Sequence, residues 1–306
     1  MSNRFTITSQ CGIDLLCREW RPDAPPKAVV QLVHGITEHS GRYTELAEFL
    51  CQKGFAVVAH DHMGHGGSVC GAVPRGCVEG GWRALEEDVL RLRQYARAQW
   101  PGVPFVYVGH SMGSFLVRTL LIDCPEDPPA AAVLTGTAWK SPAALRSGIA
   151  LCASEARLRG ERAVSPGLYG AIFGSYNRPF APVRTRCDWV SRDEDFVDSG
   201  LRDPLGFVPS VGMLLAMLRG MLYNQNIENL ANMDPDVPSL LLSGAADPVG
   251  DFGKGVQKTA EAFRGAGVKD VTVRLWPGAR HAILQEINRV QVRETLYAWL
   301  TTHLPE

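Results

Sequence analysis

Pro104-Phe-Val-Tyr-Val-Gly-His-Ser-Met-Gly-Ser-Phe-Leu-Val-Arg-Thr-Leu120 reads as a strand, a sharp turn and a helix. The β-branched and aromatic run before Gly109 has the composition of a buried parallel strand. After Gly113, Phe115, Leu116, Thr119 and Leu120 recur at helical spacing until Pro125 ends the pattern. Between the two lies the one G-x-S-x-G of the chain, residues 109–113. A strand that must reverse at once into a helix forces a strained turn, and glycines on either side of Ser111 let backbone pack where a Cβ would clash. The serine hydroxyl is thereby lifted clear of the core, and Ser111 is the candidate nucleophile.

Working outward, strand-like runs occur at about 4–7, 14–20, 28–34, 55–60, 105–110, 131–136, 239–243 and 271–276. Helix-like segments separate most of them from residue 42 onward. Over 82–100, Leu85, Val89, Leu92 and Ala96 fall at steps of four, three and four with charges on the other faces. The nearly continuous apolar runs at Val29 and Ala56 suit strands covered on both faces. This alternation predicts a mostly parallel eight-stranded sheet with helices on both faces and a hairpin-like antiparallel start before residue 28. From 138 to 233 no clear core strand appears, so that interval reads as an inserted helical cap. It divides a core made of 1–137 and 234–306. Within it Met213, Met217 and Met221 share one helical face, either as core packing or as an adaptable wall of an acyl pocket.

The 306 residues are 45% hydrophobic and 21% charged, with net charge −1. That profile suits a globular protein with a sizeable core and offers no basic field for nucleic acid. Residues 1–10 carry no apolar signal segment and no stretch is long enough to span a bilayer, so a cytoplasmic location is expected. The eight cysteines include no C-x-x-C pair and read as free thiols.

A serine hydroxyl needs a base, a group to orient the base, and donors for the oxyanion. His281 follows the last strand-like run through Pro277-Gly-Ala-Arg280, whereas His303, the other histidine after residue 110, sits in a helix-like terminal segment. His281 is therefore the expected base. Asp247 lies just past the strand-like run at 239–243, with Asp251 as competitor; Asp247 is favoured because it is nearer the strand end and Pro248 stiffens the chain behind it. The order Ser111, Asp247, His281 is that of sheets built on this elbow. The oxyanion donors are expected to be the backbone N–H groups of Ile36 and Met112, with Gly35 permitting close approach. A rival reading takes His60, His62 and His65 as an H-x-H-x-x-H metal loop, but Gly64 stands where a second metal would want Asp.

These residues carry a resemblance. His34-Gly-Ile-Thr-Glu-His-Ser-Gly-Arg-Tyr43, Asp61-His-Met-Gly-His-Gly-Gly-Ser68, the 109–113 elbow, Gly244-Ala-Ala-Asp247-Pro-Val-Gly-Asp251 and Ala279-Arg-His281 together resemble the monoacylglycerol lipase and lysophospholipase group of the α/β-hydrolase superfamily. In the cap, Asp188-Trp-Val-Ser-Arg-Asp193 and Asp203-Pro-Leu205 are similar to stretches in bacterial members. The resemblance implies the α/β-hydrolase fold, the Ser111–Asp247–His281 roles and a histidine-rich loop without metal. It departs at Ala282, where many members carry Glu. It leaves Glu38 and Arg42 either as contacts to the leaving alcohol or as a salt bridge behind the oxyanion loop, and Met213 and Met217 as candidate substrate contacts. The expected activity is hydrolysis of a fatty acyl ester through an acyl-serine, with a lipid or ester as small-molecule partner, transient membrane or micelle contact through the cap, and no metal or organic cofactor. A short-chain esterase, thioesterase or peptidase on the same machinery, and a non-catalytic ligand-binding protein of this fold, are the alternatives.

Overall fold

The computed structural model describes residues 2–304. Its strands are β1 (Asn3–Thr8), β2 (Asp14–Trp20), β3 (Val29–Val33), β4 (Ala56–His60), β5 (Phe105–His110), β6 (Ala131–Thr135), β7 (Ser239–Gly244) and β8 (Val271–Trp276). They form one sheet in the order β1-β2-β4-β3-β5-β6-β7-β8. The β1–β2 and β2–β4 pairings are antiparallel and the remaining pairings are parallel. The expected sheet is thus the one observed.

Alternation along the strands divides the apolar residues between two cores. Val30, Leu32, Val57, Val106 and Val108 pack on the face covered by α1 (Thr44–Gln52) and α10 (Arg289–His303). Val29, Val33, Val58, Phe105 and Tyr107 pack on the opposite face, against α2 (Gly81–Gln99), α3 (Met112–Asp123) and α9 (Lys254–Gly265). Parallel strands joined by crossover helices need both faces covered, which is why these runs are apolar without interruption.

The chain moves outward from β3 to β4 and then returns to lay β5 on the other side of β3. At such a reversal the loops leaving the two central strands diverge, opening a crevice beyond their carboxyl ends. Ser111 follows β5 and Ile36 follows β3, so both open onto that crevice.

Between β6 and β7 run α4 (Pro142–Arg159), α5 (Pro166–Phe173), α6 (Glu194–Arg202), α7 (Val211–Tyr223) and α8 (Ile227–Leu230). Placing this whole interval as a cover over the sheet edge needs one correction. Helix α7 packs not only on α4 but also on α2 and α3, and Met213 and Leu214 are fully buried there. Gly220 makes the contact possible, because a Cβ at that position would fall inside the Trp82 ring. Helix α7 is therefore rooted in the core, while α4, α5 and α6 each contribute residues to the wall of the cavity at Ser111. Gly220→Ala should cost about 1–3 kcal/mol of stability by overpacking. Urea denaturation checks this, with Leu158→Ser, at an 82% exposed position, remaining within about 0.5 kcal/mol of the parent.

Candidate active site

Ser111 joins β5 to α3 with φ 51° and ψ −120°, a backbone conformation that side chains other than glycine rarely adopt. The turn is held from both sides. The Ser111 N–H donates to the Thr135 carbonyl at 2.9 Å, and the Ser111 carbonyl accepts from the Ser114 N–H at 2.9 Å and the Ser114 hydroxyl at 2.6 Å. The flanking glycines are steric necessities. A Cβ on Gly109 would lie 2.6 Å from the Gly113 carbonyl oxygen, and one on Gly113 would overlap the Val33 carbonyl oxygen.

The carboxylate and the imidazole meet. The His281 ring donates from Nδ1 to Asp247 Oδ2 at 2.9 Å, and Asp247 is wholly buried. Its other oxygen, Oδ1, accepts the Val249 N–H at 2.8 Å. A proton held on Nδ1 leaves Nε2 with a lone pair, the tautomer a general base requires. Asp251 is exposed and makes no hydrogen bond to the ring among the described residues. Ser111 and His281 line the same cavity, although no hydrogen bond joins hydroxyl to imidazole among the described residues. Gly136, at φ 57°, leaves room for the rings: a Cβ there would lie 2.9 Å from Cε1 of both His110 and His281.

The backbone N–H groups of Ile36 and Met112 donate to no partner among the described residues, and the Met112 amide lies at the positive end of α3. Between them, Gly35 comes so close to the nucleophile that a Cβ would sit 3.0 Å from Ser111 Cβ. The Gly35 N–H donates to Glu38 Oε1 at 2.5 Å, and the Tyr43 hydroxyl donates to the same oxygen at 2.8 Å. Glu38 therefore braces the loop that carries Ile36. Arg42 is not its partner; the Arg42 guanidinium lies 3.6 Å from Asp203 and over the Phe196 ring at 4.9 Å. A Glu38–Arg42 salt bridge is replaced by these two separate contacts, although both side chains border the cavity.

That cavity encloses about 1020 Å³ and is walled by apolar side chains including Phe115, Leu145, Leu168, Ile172, Met217 and Met221. Met213 does not border it, being buried in the core. Met213 and Met217 share a helix face, but the first lies deeper, beneath the wall, so only Met217 of the two expected contacts reaches the cavity.

The histidines of the second motif form a buried cluster of tilted and edge-on rings. The His62 ring lies 4.0 Å from His34 and 4.8 Å from His60, centroid to centroid. The His62 N–H donates to His34 Nε2 at 2.9 Å, while His62 Nε2 contacts the His34 carbonyl at 3.0 Å. No group of three metal-binding side chains is arranged for a cation among the described residues. Burial holds these rings neutral: His60 and His65 are pushed down to about 4, and so is His110, where the neighbouring His281 adds to the effect.

One group went unrecognised in the sequence. Glu286, wholly buried, accepts the N–H groups of Arg280 and Arg192 at 2.9 and 3.1 Å and the Arg192 side chain at 3.0 Å. The Ala282 N–H donates to Val190 at 2.7 Å, and the Arg280 guanidinium reaches the carbonyls of Asp188 and Ser191. The loop holding His281 is thus stitched on both sides to residues 188–192. Five residues past His281, in Ala-Ile-Leu-Gln-Glu286, nothing in the local pattern separates this carboxylate from an ordinary helix-start acid.

The family model described as Hydrolase_4, serine aminopeptidase S33, matches residues 24–288. The monoglyceride lipase of Homo sapiens is 29% identical over 279 residues, covering 91% of this chain and 83% of that protein. The monoacylglycerol lipase of Mycolicibacterium smegmatis is 28% identical, covering 96% and 95% respectively. Among solved structures, a highly thermostable carboxyl esterase from Bacillus coagulans in complex with glycerol superposes with TM-score 0.93 at 24% identity, covering 99% of both chains. The fold is that of the α/β-hydrolases.

Two expectations can be checked. Because folding lowers the proton affinity of His60, His65 and His110 from about 6.5 to about 4, the unfolded chain binds more protons between those values. Their contribution to stability is whole above about pH 6.5 and is lost as the pH falls toward 4. The urea midpoint should drop steeply across that window, and His110→Gln should reduce the proton uptake on unfolding at pH 5 by about one. Separately, Glu286→Ala should lower kcat on a p-nitrophenyl ester by about 10²-fold with KM nearly unchanged, through loss of His281 alignment. Glu286→Gln, which keeps one acceptor oxygen, should fall between Ala and the parent.

Proposed function

The chain belongs to the Hydrolase_4, serine aminopeptidase S33, family of α/β-hydrolases, and from that premise we propose that it cleaves the ester of a single long acyl chain, a monoacylglycerol above all. What supports this reading is the largely apolar cavity of about 1020 Å³ that Ser111 and His281 both line, with His281 bonded to Asp247. An aminopeptidase would need an unspent carboxylate to hold the free amine of its substrate. The two acids bordering this cavity are engaged, Glu38 by Gly35 and Tyr43, and Asp203 by His39 and Arg42. A neutral glycerol head group calls for no such partner. A lysophospholipid, with a charged head group, is the alternative substrate on the same machinery.

In the proposed mechanism His281 Nε2 takes the Ser111 proton as the hydroxyl attacks the ester carbonyl. The negative charge that develops on the carbonyl oxygen is met by the Ile36 and Met112 N–H groups, donors already aimed and costing no reorganisation. Asp247 holds the imidazole in its tautomer and stabilises the imidazolium. The imidazolium then protonates the leaving alcohol, and water, activated by His281, cleaves the acyl-serine.

Residues 138–233 act in this reading as the cap of a core built from 1–137 and 234–306. Leu151, Leu158 and Val164, exposed on or beside α4, supply an apolar face for transient contact with a micelle or bilayer. No helix among the described residues is long and apolar enough to cross a membrane. A cytoplasmic location belongs to the same proposal and is supported by the eight cysteines, which are free thiols.

Release of fatty acid from monoacylglycerols, lysophospholipids and short-chain esters, assayed side by side, tests the reading. Long-chain monoacylglycerol should give the highest kcat/KM, Ser111→Ala should abolish release, and Asp247→Asn should lower kcat by about 10⁴-fold. Equal turnover by Ser111→Ala would overturn the mechanism; preference for short acyl chains would overturn the substrate class alone.

A further inference from the structure

On the far side of the oxyanion loop, two arginines face each other across the β1–β2 ladder, where Arg4 and Arg18 are Cα partners in the antiparallel register. Like charges placed directly opposite destabilise a strand pair. Here one of them is also desolvated. Arg18 is 6% exposed, and its buried Nε and Nη1 atoms have no hydrogen-bond partner among the described residues. Leaving donors of a charged group buried and unpaired is among the costlier defects a fold can carry.

The near carboxylate does not relieve it. Asp61 attracts Arg18 electrostatically, but its hydrogen bonds run to the Ser40 N–H at 2.9 Å, the Ser40 hydroxyl and the Gly67 N–H at 2.8 Å, and none joins it to Arg18 among the described residues. His39 is occupied as well, with Nε2 3.0 Å from Asp203 and Nδ1 accepting the Gly41 N–H at 3.2 Å. Among the described residues neither Arg4 nor Arg18 forms an ion pair. Both border an open cleft of about 420 Å³ formed by β1, β2, the turn at 39–44, Gly67 and Leu205 of the segment between β6 and β7. It shares no lining residue with the cavity at Ser111.

We propose that this cleft is a second binding site, one for a phosphate group held between the Arg4 and Arg18 guanidinium groups. A planar carboxylate fills one guanidinium fork, whereas a tetrahedral phosphate presents oxygens to two forks at once. Its charge cancels the cross-strand repulsion and offsets the desolvated charge of Arg18. The site touches His39, whose ring holds Asp203, so an occupied site braces the point where the 203–205 segment meets the core.

Thermal unfolding with inorganic phosphate, against sodium chloride at equal ionic strength, tests the proposal. The parent should show a saturable rise in Tm of about 2–4 °C, absent in both Arg4→Gln and Arg18→Met. Without phosphate, Arg18→Met should melt no lower than the parent, because it removes an unsatisfied buried charge. Arg4→Gln, at an exposed strand position, keeps the test intact if Arg18→Met does not fold, and should leave ester hydrolysis unchanged. Sedimentation with phosphatidylcholine vesicles, with and without phosphatidic acid, separates the sources of the phosphate. Binding to phosphatidic acid that Arg4→Gln abolishes identifies a lipid head group; a phosphate effect without vesicle binding identifies a soluble ligand. The proposal is overturned if neither the phosphate shift nor vesicle binding distinguishes the parent from these variants.

Discussion

The close approach of Gly113 to the end of β3 is the constraint on which the rest of the site depends. Because no Cβ intervenes, the first turn of α3 lies against the Val33 carbonyl. That contact brings the amide at the start of α3 and the loop after β3 to the same place. Ser111 stands at φ 51° because a strand and a helix cannot meet at that separation through an ordinary backbone. Strain in the turn, proximity of Gly35 to Ser111 and the two unpaired N–H groups are one geometric fact seen from different residues.

Around this point the electrostatics are arranged by desolvation. His34, His60, His62, His65 and His110 are buried and held below their ordinary proton affinity, and of these neutral imidazoles His110 borders the cavity. His281 differs in having the buried Asp247 on one ring nitrogen and the cavity on the other. The segment between β6 and β7 does more than roof that cavity. Through Val190, Arg192 and the carboxylate of Glu286 it is hydrogen-bonded to the His281 loop.

The strands were legible almost to the residue. The run expected over 28–34 is β3 at Val29–Val33, and the helix expected over 82–100 is α2 at Gly81–Gln99. Period and composition are local properties, and a sheet buried on both faces writes them strongly. Asp247 was separable from Asp251 by distance from the strand end, because that distance limits which carboxylate reaches the ring. Met213 was misplaced among the substrate contacts because helical period shows that a face is apolar but not which neighbour covers it. The Glu38 brace and the Arg42–Asp203 contact were hidden for a related reason: each joins an oxyanion-loop residue to a partner that only folding selects.

The sequence by itself determined the order of elements, the elbow at Ser111 and the identities of the groups around it, since spacing, glycines and chain order are properties of the covalent chain. Only the tertiary structure decided that α7 packs on α2 and α3 as well as on α4, that Glu286 ties the His281 loop to residues 188–192, and that Arg4 and Arg18 confront each other across a ladder. Those depend on contacts between residues far apart in sequence, where burial and competing partners, not local pattern, choose what each side chain meets.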